Sequence, residues 1–458
     1  MLSREQVYLA APGMHSGSSR PTGSPIYFYV LTWTLLLPLL YQMTDCGPSL
    51  LNGANSALVT NDGNLLGVHN GFRPQVVVEH LFLVGLLVVG RVEILRAVAK
   101  NKFIVLSGPL LAASSALWSG SPGLTLRYAT DLMLTTAFAC YLSERFSTEH
   151  LMRLLIFTAS VGAALSVVLA LFFPSYGIFQ RYAGGAWQGI FSHKNAMGLG
   201  MAALLTPIFF SKQRMTFRVS YSAALLFLIV MSQSRSAWFV TIGVLTFTAW
   251  LHLFRRLRGV ESILLSITAI SGAAIVVLFA LSHFTAFMTS IGKDPTLTGR
   301  TGIYALVIES ILKHPLGGYG YGAFWFGATQ ESKNMGIRLG WPNIGYAENG
   351  FLDLALHLGF AGVALALVII GRAFSQGVRL LRSPSYTPRV GWFVVLLFMQ
   401  LLTNIDGGIL LWPASSLWIF TLIAAMGLAN EVSRVPAACS PKSVPVKAPT
   451  GRTVLAQW

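Results

Sequence analysis

The sequence predicts an all-α integral membrane protein with about twelve transmembrane helices and one long loop outside the membrane. Of the 458 residues, 54% are hydrophobic and only 10% are charged, whereas soluble domains average about 25% charged residues. The apolar residues also gather in repeated runs of about 20, the length of a helix that crosses a bilayer. These observations exclude a water-soluble globular fold.

Twelve apolar windows are candidate spans, although the seventh is short for a spanning helix. The polar, Gly/Ser/Pro-rich residues 1–25 form a predicted N-terminal arm, and residues 430–458 form a predicted disordered tail. The membrane domain is then 26–429. The windows are 26–44, 75–91, 103–119, 126–142, 151–173, 194–211, 219–232, 236–254, 262–283, 349–371, 388–404 and 410–429.

The net charge of +16 is explained by topology rather than by nucleic-acid binding. An even number of spans puts both termini on one side, and most of the 32 Lys and Arg residues fall on that side. The positive-inside rule makes that side the cytoplasm. Membrane lipids are expected partners, and nucleic acid is not. The segments expected on the outer side are 45–74, 174–193, 233–235, 284–347 and 405–409.

The longest polar interruption, 284–347, is the segment in which function is first sought. It contains GRTGIY at Gly299–Tyr304 and HPLGGYGYG at His314–Gly322. A short amphipathic helix between them is expected to lie on the outer leaflet and to bring Arg300 to lipid headgroups. The glycines are expected to allow tight turns or close backbone approach. We interpret the loop as a lid. The apolar stripe of its helix is Ile303, Leu306, Val307 and Ile311.

The sixth window begins with the polar triplet of GIFSHKNAMGLG, which is His193, Lys194 and Asn195. Asn195 is a candidate helix cap. The helix N-terminus together with Lys194 favours a bound anion. The alternative is a plain polar cap on a spanning helix.

Arg235 lies in SQSRSAW, in the tight turn between the seventh and eighth windows. A guanidinium is the side chain best suited to forked recognition of phosphate oxygens. The alternative is an arginine that snorkels to the interface.

The tenth window begins with AENGFLDLALHLGFAG, which places Glu348 and Asn349 at its outer end. Ionisable groups at membrane depth are functional candidates by default. Glu348 is the better candidate base, because a substrate in water can reach it. Asp353 and His357 are spaced i, i+4 and form either part of the site or a structural pair. Asp406, in the last outer turn, is a second acidic candidate or a turn residue.

Two arginines and a carboxylate at one membrane surface suit an anionic lipid-linked donor. Arg235 and Arg300 are expected to hold a pyrophosphate and to stabilise its charge as it leaves. Glu348 is expected to take the proton of an attacking hydroxyl. No metal-ligand cluster occurs in an outer loop, so neither a metal nor another cofactor is expected.

Taken together, GIFSHKNAMG, SQSRSAW, GRTGIY with HPLGGYGYG, and AENGFLDLALHLGFAG resemble the O-antigen ligase and polymerase superfamily over roughly residues 185–370. The HKN form is most similar to its exopolysaccharide polymerase branch. The resemblance implies a bacterial inner-membrane glycosyltransferase of the helical, metal-independent, GT-C-like class. It also implies a substrate glycan linked to undecaprenyl pyrophosphate at the periplasmic face, with 284–347 as a periplasmic loop.

The resemblance further implies roles for individual residues. The family's pyrophosphate-binding arginines correspond to Arg235 and Arg300. The family's usual base, a histidine, is replaced here by Glu348, although the expected Asn349 follows it. His193 and His314 therefore stay open as alternative bases.

The function implied is that of an inverting exopolysaccharide or O-antigen polymerase, which transfers glycan to a hydroxyl of a lipid-linked repeat. Chain-length regulators and export proteins are expected partners. One alternative is a ligase of lipopolysaccharide biosynthesis, which moves finished glycan to a lipid A core or to a protein. A lipid-linked oligosaccharide flippase is less favoured, because the charges gather at one face rather than at the midplane.

Overall fold

The structure, a computed structural model, is helical throughout the part of the chain that it describes. That part contains no strand, only an isolated bridge between Ile178 and Trp187. The all-α prediction is confirmed there. The predicted arm 1–25, the window 26–44 and the tail beyond 434 lie outside it. The described residues are 84–85, 87–179, 185–191, 193–257, 259–269, 271–272, 300–327, 329–341, 344–384, 386–407, 410–413 and 415–434.

The helices are named α1 to α14 in chain order. Two of them continue as 3-10 helices, α1 through Ser115–Leu117 and α5 through Thr206–Phe210. The helices are α1 Arg91–Ser114, α2 Pro122–Arg145, α3 Thr148–Phe172, α4 Pro174–Gly177, α5 Lys194–Leu205, α6 Met215–Met231, α7 Arg235–Arg256, α8 Val260–Ala269, α9 Arg300–Lys313, α10 Ala323–Phe326, α11 Gln330–Arg338, α12 Gly350–Leu381, α13 Pro388–Ile405 and α14 Ser416–Arg434.

Five of these helices, α3, α7, α12, α13 and α14, are long and apolar enough to cross a membrane. The protein is therefore a multi-pass membrane protein. Most predicted windows coincide with helices, because a run of apolar residues is the signal for both. The total of twelve spans stays a prediction.

Helix α13 runs antiparallel to both α7 and α12, and these contacts fix the level of each helix end. The Phe247 ring of α7 stacks on Phe398 of α13, with 4.0 Å between ring centroids, and also contacts Phe374 of α12. Phe247 is about 18 Å along α7 from Arg235, and Phe398 is about 10 Å from Ile405, where α13 ends. The start of α7 and the end of α13 therefore lie at one end of the bundle, called here the Arg235 end.

Helix α5 begins at the Arg235 end as well. Its Gly198 lies against the first turn of α7, where an added Cβ would stand 2.5 Å from the Cβ of Ala237. At the far end of the same segment, Trp392 Nε1 donates a 3.0 Å hydrogen bond to Thr206 Oγ1 near the start of α13. Together with the 3-10 helix that continues it, α5 therefore extends from the Arg235 end to the level at which α13 begins.

The opposite end of the bundle carries a network of ion pairs. Arg389 reaches Glu149 at 3.4 Å and Glu431 at 3.7 Å, and Glu431 also pairs with Arg434 at 3.0 Å. These pairs are only partly exposed. They join the starts of α3 and α13 to the end of α14.

Candidate functional site

Helix α12 is broken at Gly359. This glycine has φ 61° and ψ −164°, a backbone conformation that residues with a Cβ essentially never adopt. The break separates a short entry segment, Gly350–Leu358, from the stretch 360–381. The latter is about 33 Å long, enough to cross a bilayer core by itself. The residues predicted to be functional therefore stand before the spanning part of α12.

The break is closed by the loop 315–320. Interrupting a helix leaves backbone donors and acceptors without their usual partners. Here four backbone hydrogen bonds from the loop satisfy them. They run from Tyr319 N to Leu356 O (2.9 Å), Gly320 N to His357 O (3.1 Å), Phe360 N to Pro315 O (2.7 Å) and Ala361 N to Leu316 O (3.3 Å). This part of the long loop is fastened to α12, so the interpretation of the loop as a lid is wrong for residues 315–320.

The glycines of HPLGGYGYG let the loop approach its neighbours closely. Gly318, Gly320 and Gly322 all have positive φ. A Cβ on Gly318 would stand 2.6 Å from Leu356 O, and one on Gly322 would stand 2.5 Å from the Tyr128 ring. The expectation of close backbone approach is confirmed.

The two tyrosines of the loop serve as buried donors. The Tyr319 hydroxyl donates to Ser310 O at 3.1 Å, and the Tyr321 hydroxyl donates to Leu411 O. Burial, and then the charge of Glu331, raises the pKa of Tyr319 to about 12. Burial likewise raises the pKa of Tyr321 well above its usual value. Both phenols therefore stay protonated at physiological pH.

Asp353 and His357 bind the loop region rather than each other. Asp353 Oδ1 accepts 2.8 Å hydrogen bonds from Trp325 Nε1 and from the backbone N–H of Ala347. His357 Nδ1 accepts from the backbone N–H of Gly322 at 3.1 Å. The alternative of an Asp353–His357 structural pair is wrong, although both residues have structural partners.

Glu348 stands where the chain turns into the entry segment. Its φ is 56°, which is uncommon for a residue with a long side chain. On its N-terminal side, Ala347 is bonded to Asp353. On its C-terminal side, the Asn349 side chain caps the entry segment and donates to Ile405 O at 3.2 Å. Glu348 is partly exposed and lies at the Arg235 end of the bundle.

Helix α9 packs along the entry segment. Most of its predicted apolar stripe is buried, with Ile303, Val307 and Ile311 each less than 5% exposed. Leu306 is partly buried and packs against the same cluster. The expectation that this stripe lies on a lipid leaflet is wrong, because the entry segment and the loop cover it. Tyr304 in the first turns of α9 places its hydroxyl 3.5 Å from Glu348 O.

Arg300 and His314 lie at opposite ends of α9. Arg300 is the first helical residue, in the turn that also carries Tyr304, and its side chain lies outside the described part. His314 follows the last residue, about 15 Å along the helix from Tyr304, and its ring meets Tyr319 edge-on. The structure thus brings the start of α9 to Glu348 and leaves His314 at the break in α12.

His193, and not Asn195, caps α5. His193 Nδ1 accepts a 3.1 Å hydrogen bond from the backbone N–H of Asn195. The prediction of Asn195 as the cap is therefore wrong by two positions. It failed because histidine is not among the residues that usually cap helices. With Nδ1 accepting, the neutral ring carries its proton on Nε2. His193 is therefore arranged to donate a hydrogen bond rather than to take a proton.

Arg235 is the first residue of α7 and is exposed. The Ser234 hydroxyl caps the helix by accepting from Ala237 N at 3.3 Å. None of the ion pairs found among the described residues includes Arg235. Burial, and then the charge of Arg235, lowers the pKa of Lys194, so two cationic side chains lie near each other at adjoining helix N-termini. Such a place favours an anion with several oxygens.

Asp406 lies directly after Ile405, the residue that receives the Asn349 hydrogen bond. Asp406, Glu348 and Asn349 therefore surround the end of α13. Lys194 and Arg235 stand at the same end of the bundle on α5 and α7. Among the described residues, no group of three or more His, Cys, Asp or Glu is arranged to hold a metal ion.

Residues 220–367 match the family model for O-antigen ligase. The resemblance to the O-antigen ligase family is confirmed. The chain is also 26% identical over 315 residues to the exopolysaccharide production protein ExoQ of Rhizobium meliloti (strain 1021), an alignment that covers 65% of this chain and 71% of that protein. The residues matched by the family model include Arg235, Arg300 and Glu348. They do not include the α5 triplet or Asp406.

Two residues of the site were missed from the sequence. Gly359 resembles any other small residue of an apolar helix. The only local sign of a break was that this residue, between Leu358 and Phe360, is a glycine and can adopt a backbone conformation closed to other residues. Trp325 lies in the apolar stretch AFWF after the glycine-rich loop. Its indole N–H needs a partner when buried, and that need was a signal which could have pointed to Asp353.

Proposed function

We propose that this protein is a polysaccharide polymerase that transfers a growing glycan from its lipid pyrophosphate to a hydroxyl of a lipid-linked repeat. The observation on which the proposal rests is the strained backbone of Glu348, whose two neighbours are held by hydrogen bonds. Glu348 lies at the same end of the bundle as the positively charged side chains of Arg235 and Lys194. The family match and the similarity to an exopolysaccharide production protein support the same chemistry.

The proposed reaction is a single displacement. The acceptor hydroxyl oxygen forms a bond to the anomeric carbon while the bond from that carbon to the pyrophosphate oxygen breaks, which inverts the configuration. The hydroxyl proton passes to the Glu348 carboxylate. The negative charge that develops on the pyrophosphate is stabilised by Arg235, Lys194 and the N–H groups that begin α5 and α7. Arg300 completes the cationic side from the start of α9.

Glu348 suits the role of base better than His193, because the Nδ1 lone pair of His193 is used by the helix cap. His314 lies too far along α9 to share a substrate with Glu348. Undecaprenyl pyrophosphate in a bacterial inner membrane is the proposed carrier. The Arg235 end is proposed to face the periplasm, and both termini the cytoplasm.

The test is polymerisation by the purified protein in lipid nanodiscs with a single lipid-linked repeat as substrate. Wild type is expected to form a ladder of longer lipid-linked chains. Arg235→Ala is expected to reduce the rate at least about 100-fold, in line with the loss of a transition-state donor. Arg256→Ala is the matched control, because Arg256 is the exposed arginine at the other end of α7. Equal rates for the two variants would contradict the pyrophosphate assignment.

Glu348→Gln tests the base. It is expected to abolish turnover at normal protein level, whereas Glu309→Gln, an exposed carboxylate on α9, is expected to stay active. Glu348→His is expected to keep part of the wild-type rate that Glu348→Gln loses, because the resemblance implies that histidine is the usual base of the family at this position. Normal turnover by Glu348→Gln would remove Glu348 as the base.

A ligase is the second candidate, and the description of the matching family model favours it. A ligase would leave the single repeat unchanged in the polymerisation assay. It would instead move preformed glycan to a lipid A core or a protein. The same preparation, given both acceptors, therefore separates the two functions.

A further inference from the structure

The carboxylate of Asp353 is nearly completely buried, with 7% of the residue exposed. Its Oδ1 accepts two hydrogen bonds of 2.8 Å, while its Oδ2 has no hydrogen-bond partner among the described residues. A buried carboxylate costs free energy unless it is paired or hydrogen-bonded. One oxygen of this buried carboxylate is therefore left unsatisfied, and an unsatisfied buried polar atom calls for an explanation.

The first of the two donors is the indole N–H of Trp325, a tightly packed side chain. The Trp325 side chain is 1% exposed, and its ring packs edge-on against Phe324 with 4.7 Å between ring centroids. Trp325 belongs to α10, which directly follows the loop fastened to α12. Asp353 is therefore held from one side by a rigid indole that the surrounding core keeps in place.

The other donor is the backbone N–H of Ala347, the residue that precedes Glu348. Asn349, the residue that follows, is fixed by its cap and by its hydrogen bond to Ile405 O. Both chain neighbours of Glu348 are thus held in place by hydrogen bonds. Its left-handed backbone is strained, and strain of this kind persists only where the surroundings enforce it.

We propose that Asp353, held by Trp325, is a positioning residue that fixes the backbone of Glu348 in the orientation needed for proton transfer. Asp353 touches neither the substrate nor the transferred proton. This inference rests on the proposed function, in which Glu348 is the base. It predicts that the hydrogen-bond acceptor at position 353 matters and that its charge does not.

Asp353→Asn and Asp353→Ala separate these two properties. Asparagine keeps the Oδ1 acceptor, so Asp353→Asn is expected to retain kcat within a few-fold of wild type. Alanine removes the acceptor, and Asp353→Ala is expected to lower kcat about 100-fold with KM nearly unchanged, as small misplacements of reacting groups do. Trp325→Phe keeps the ring but removes the indole N–H, and is expected to lower kcat about 10-fold.

Ser310→Ala is the matched control, because Ser310 is 5% exposed in the same packed layer and its hydroxyl bonds only within α9. It is expected to keep the wild-type rate. If Asp353→Asn is as inactive as Asp353→Ala, Asp353 acts through its charge and the positioning role is overturned. If both variants polymerise like wild type, it is overturned as well.

Hydrogen exchange at the Ala347 amide gives a readout that does not depend on activity. This amide is expected to be protected in wild type and in Asp353→Asn, and to exchange faster in Asp353→Ala. Unchanged protection in Asp353→Ala would overturn the inference even if the proposed function holds. A wild type that forms no polymer, together with the expected exchange pattern, would instead overturn the proposed function and leave the backbone anchor standing.

Discussion

The break at Gly359 leads to a sharp prediction for Gly359→Ala. A Cβ on this glycine would overlap the backbone of Leu316 and stand 2.6 Å from Gly317 N. No side chain can move aside, because all three clashing atoms belong to the loop backbone. The substitution must therefore push the loop off α12 or straighten the helix.

The magnitude follows from two contributions. Holding alanine at φ 61° and ψ −164° costs about 1–3 kcal/mol. Each buried backbone hydrogen bond left unmade costs about 1–3 kcal/mol more, and four join the loop to the break. Losing even one of them together with the strain brings the expected destabilisation to about 2–6 kcal/mol.

Gly371→Ala is the control within the same helix. Gly371 is exposed, and a Cβ there meets no described atom within 4 Å. Because alanine is the better helix former, the control is expected to be neutral or to stabilise by up to about 1 kcal/mol. The assay is heating in detergent followed by size-exclusion chromatography of the surviving protein. Equal midpoints for the two variants would refute the broken-helix reasoning.

Substitutions at three further positions test the Arg235 end. Gly198→Ala is expected to destabilise by about 1–3 kcal/mol, because the new methyl group overlaps Ala237 where α5 meets α7; an unchanged thermal midpoint would contradict this packing. His193→Asn is expected to keep the stability that His193→Ala loses, about 1 kcal/mol, because asparagine also caps helices; equal midpoints would argue against the cap. Asn349→Ala is expected to cost about 1–2 kcal/mol, through loss of the cap and of the bond to Ile405 O; protease cleavage of this region in nanodiscs should then accelerate, and unchanged cleavage would speak against it.

Much of the bundle could be predicted because its helices are signalled locally. Apolar runs and their ends marked α3, α7 and α13 to within a few residues, since length and composition decide which helices cross a bilayer. The positions of Arg235 and Glu348 at the starts of α7 and α12 could be predicted for a similar reason. A charged residue at the edge of an apolar run stands out without knowledge of its partners.

The remaining features depend on partners that are remote in sequence. The apolar pattern of α12 continues unbroken through Gly359, so nothing local announces the break, and the loop that closes it lies some forty residues earlier. The stripe on α9 is amphipathic whether it faces lipid or protein. Only the position of the entry segment decides that it is buried.

The closure of the α12 break also constrains how the chain is assembled in the membrane. The break stands at the end of the stretch 360–381 that crosses the bilayer, and backbone donors and acceptors there still need partners in protein or water, so α12 depends on the loop as soon as it is inserted. Residues 315–320 leave the ribosome before α12 does. The loop is therefore already synthesised when the helix that needs it arrives. A chain in which the order of these two segments is exchanged by circular permutation would have to insert the break unprotected.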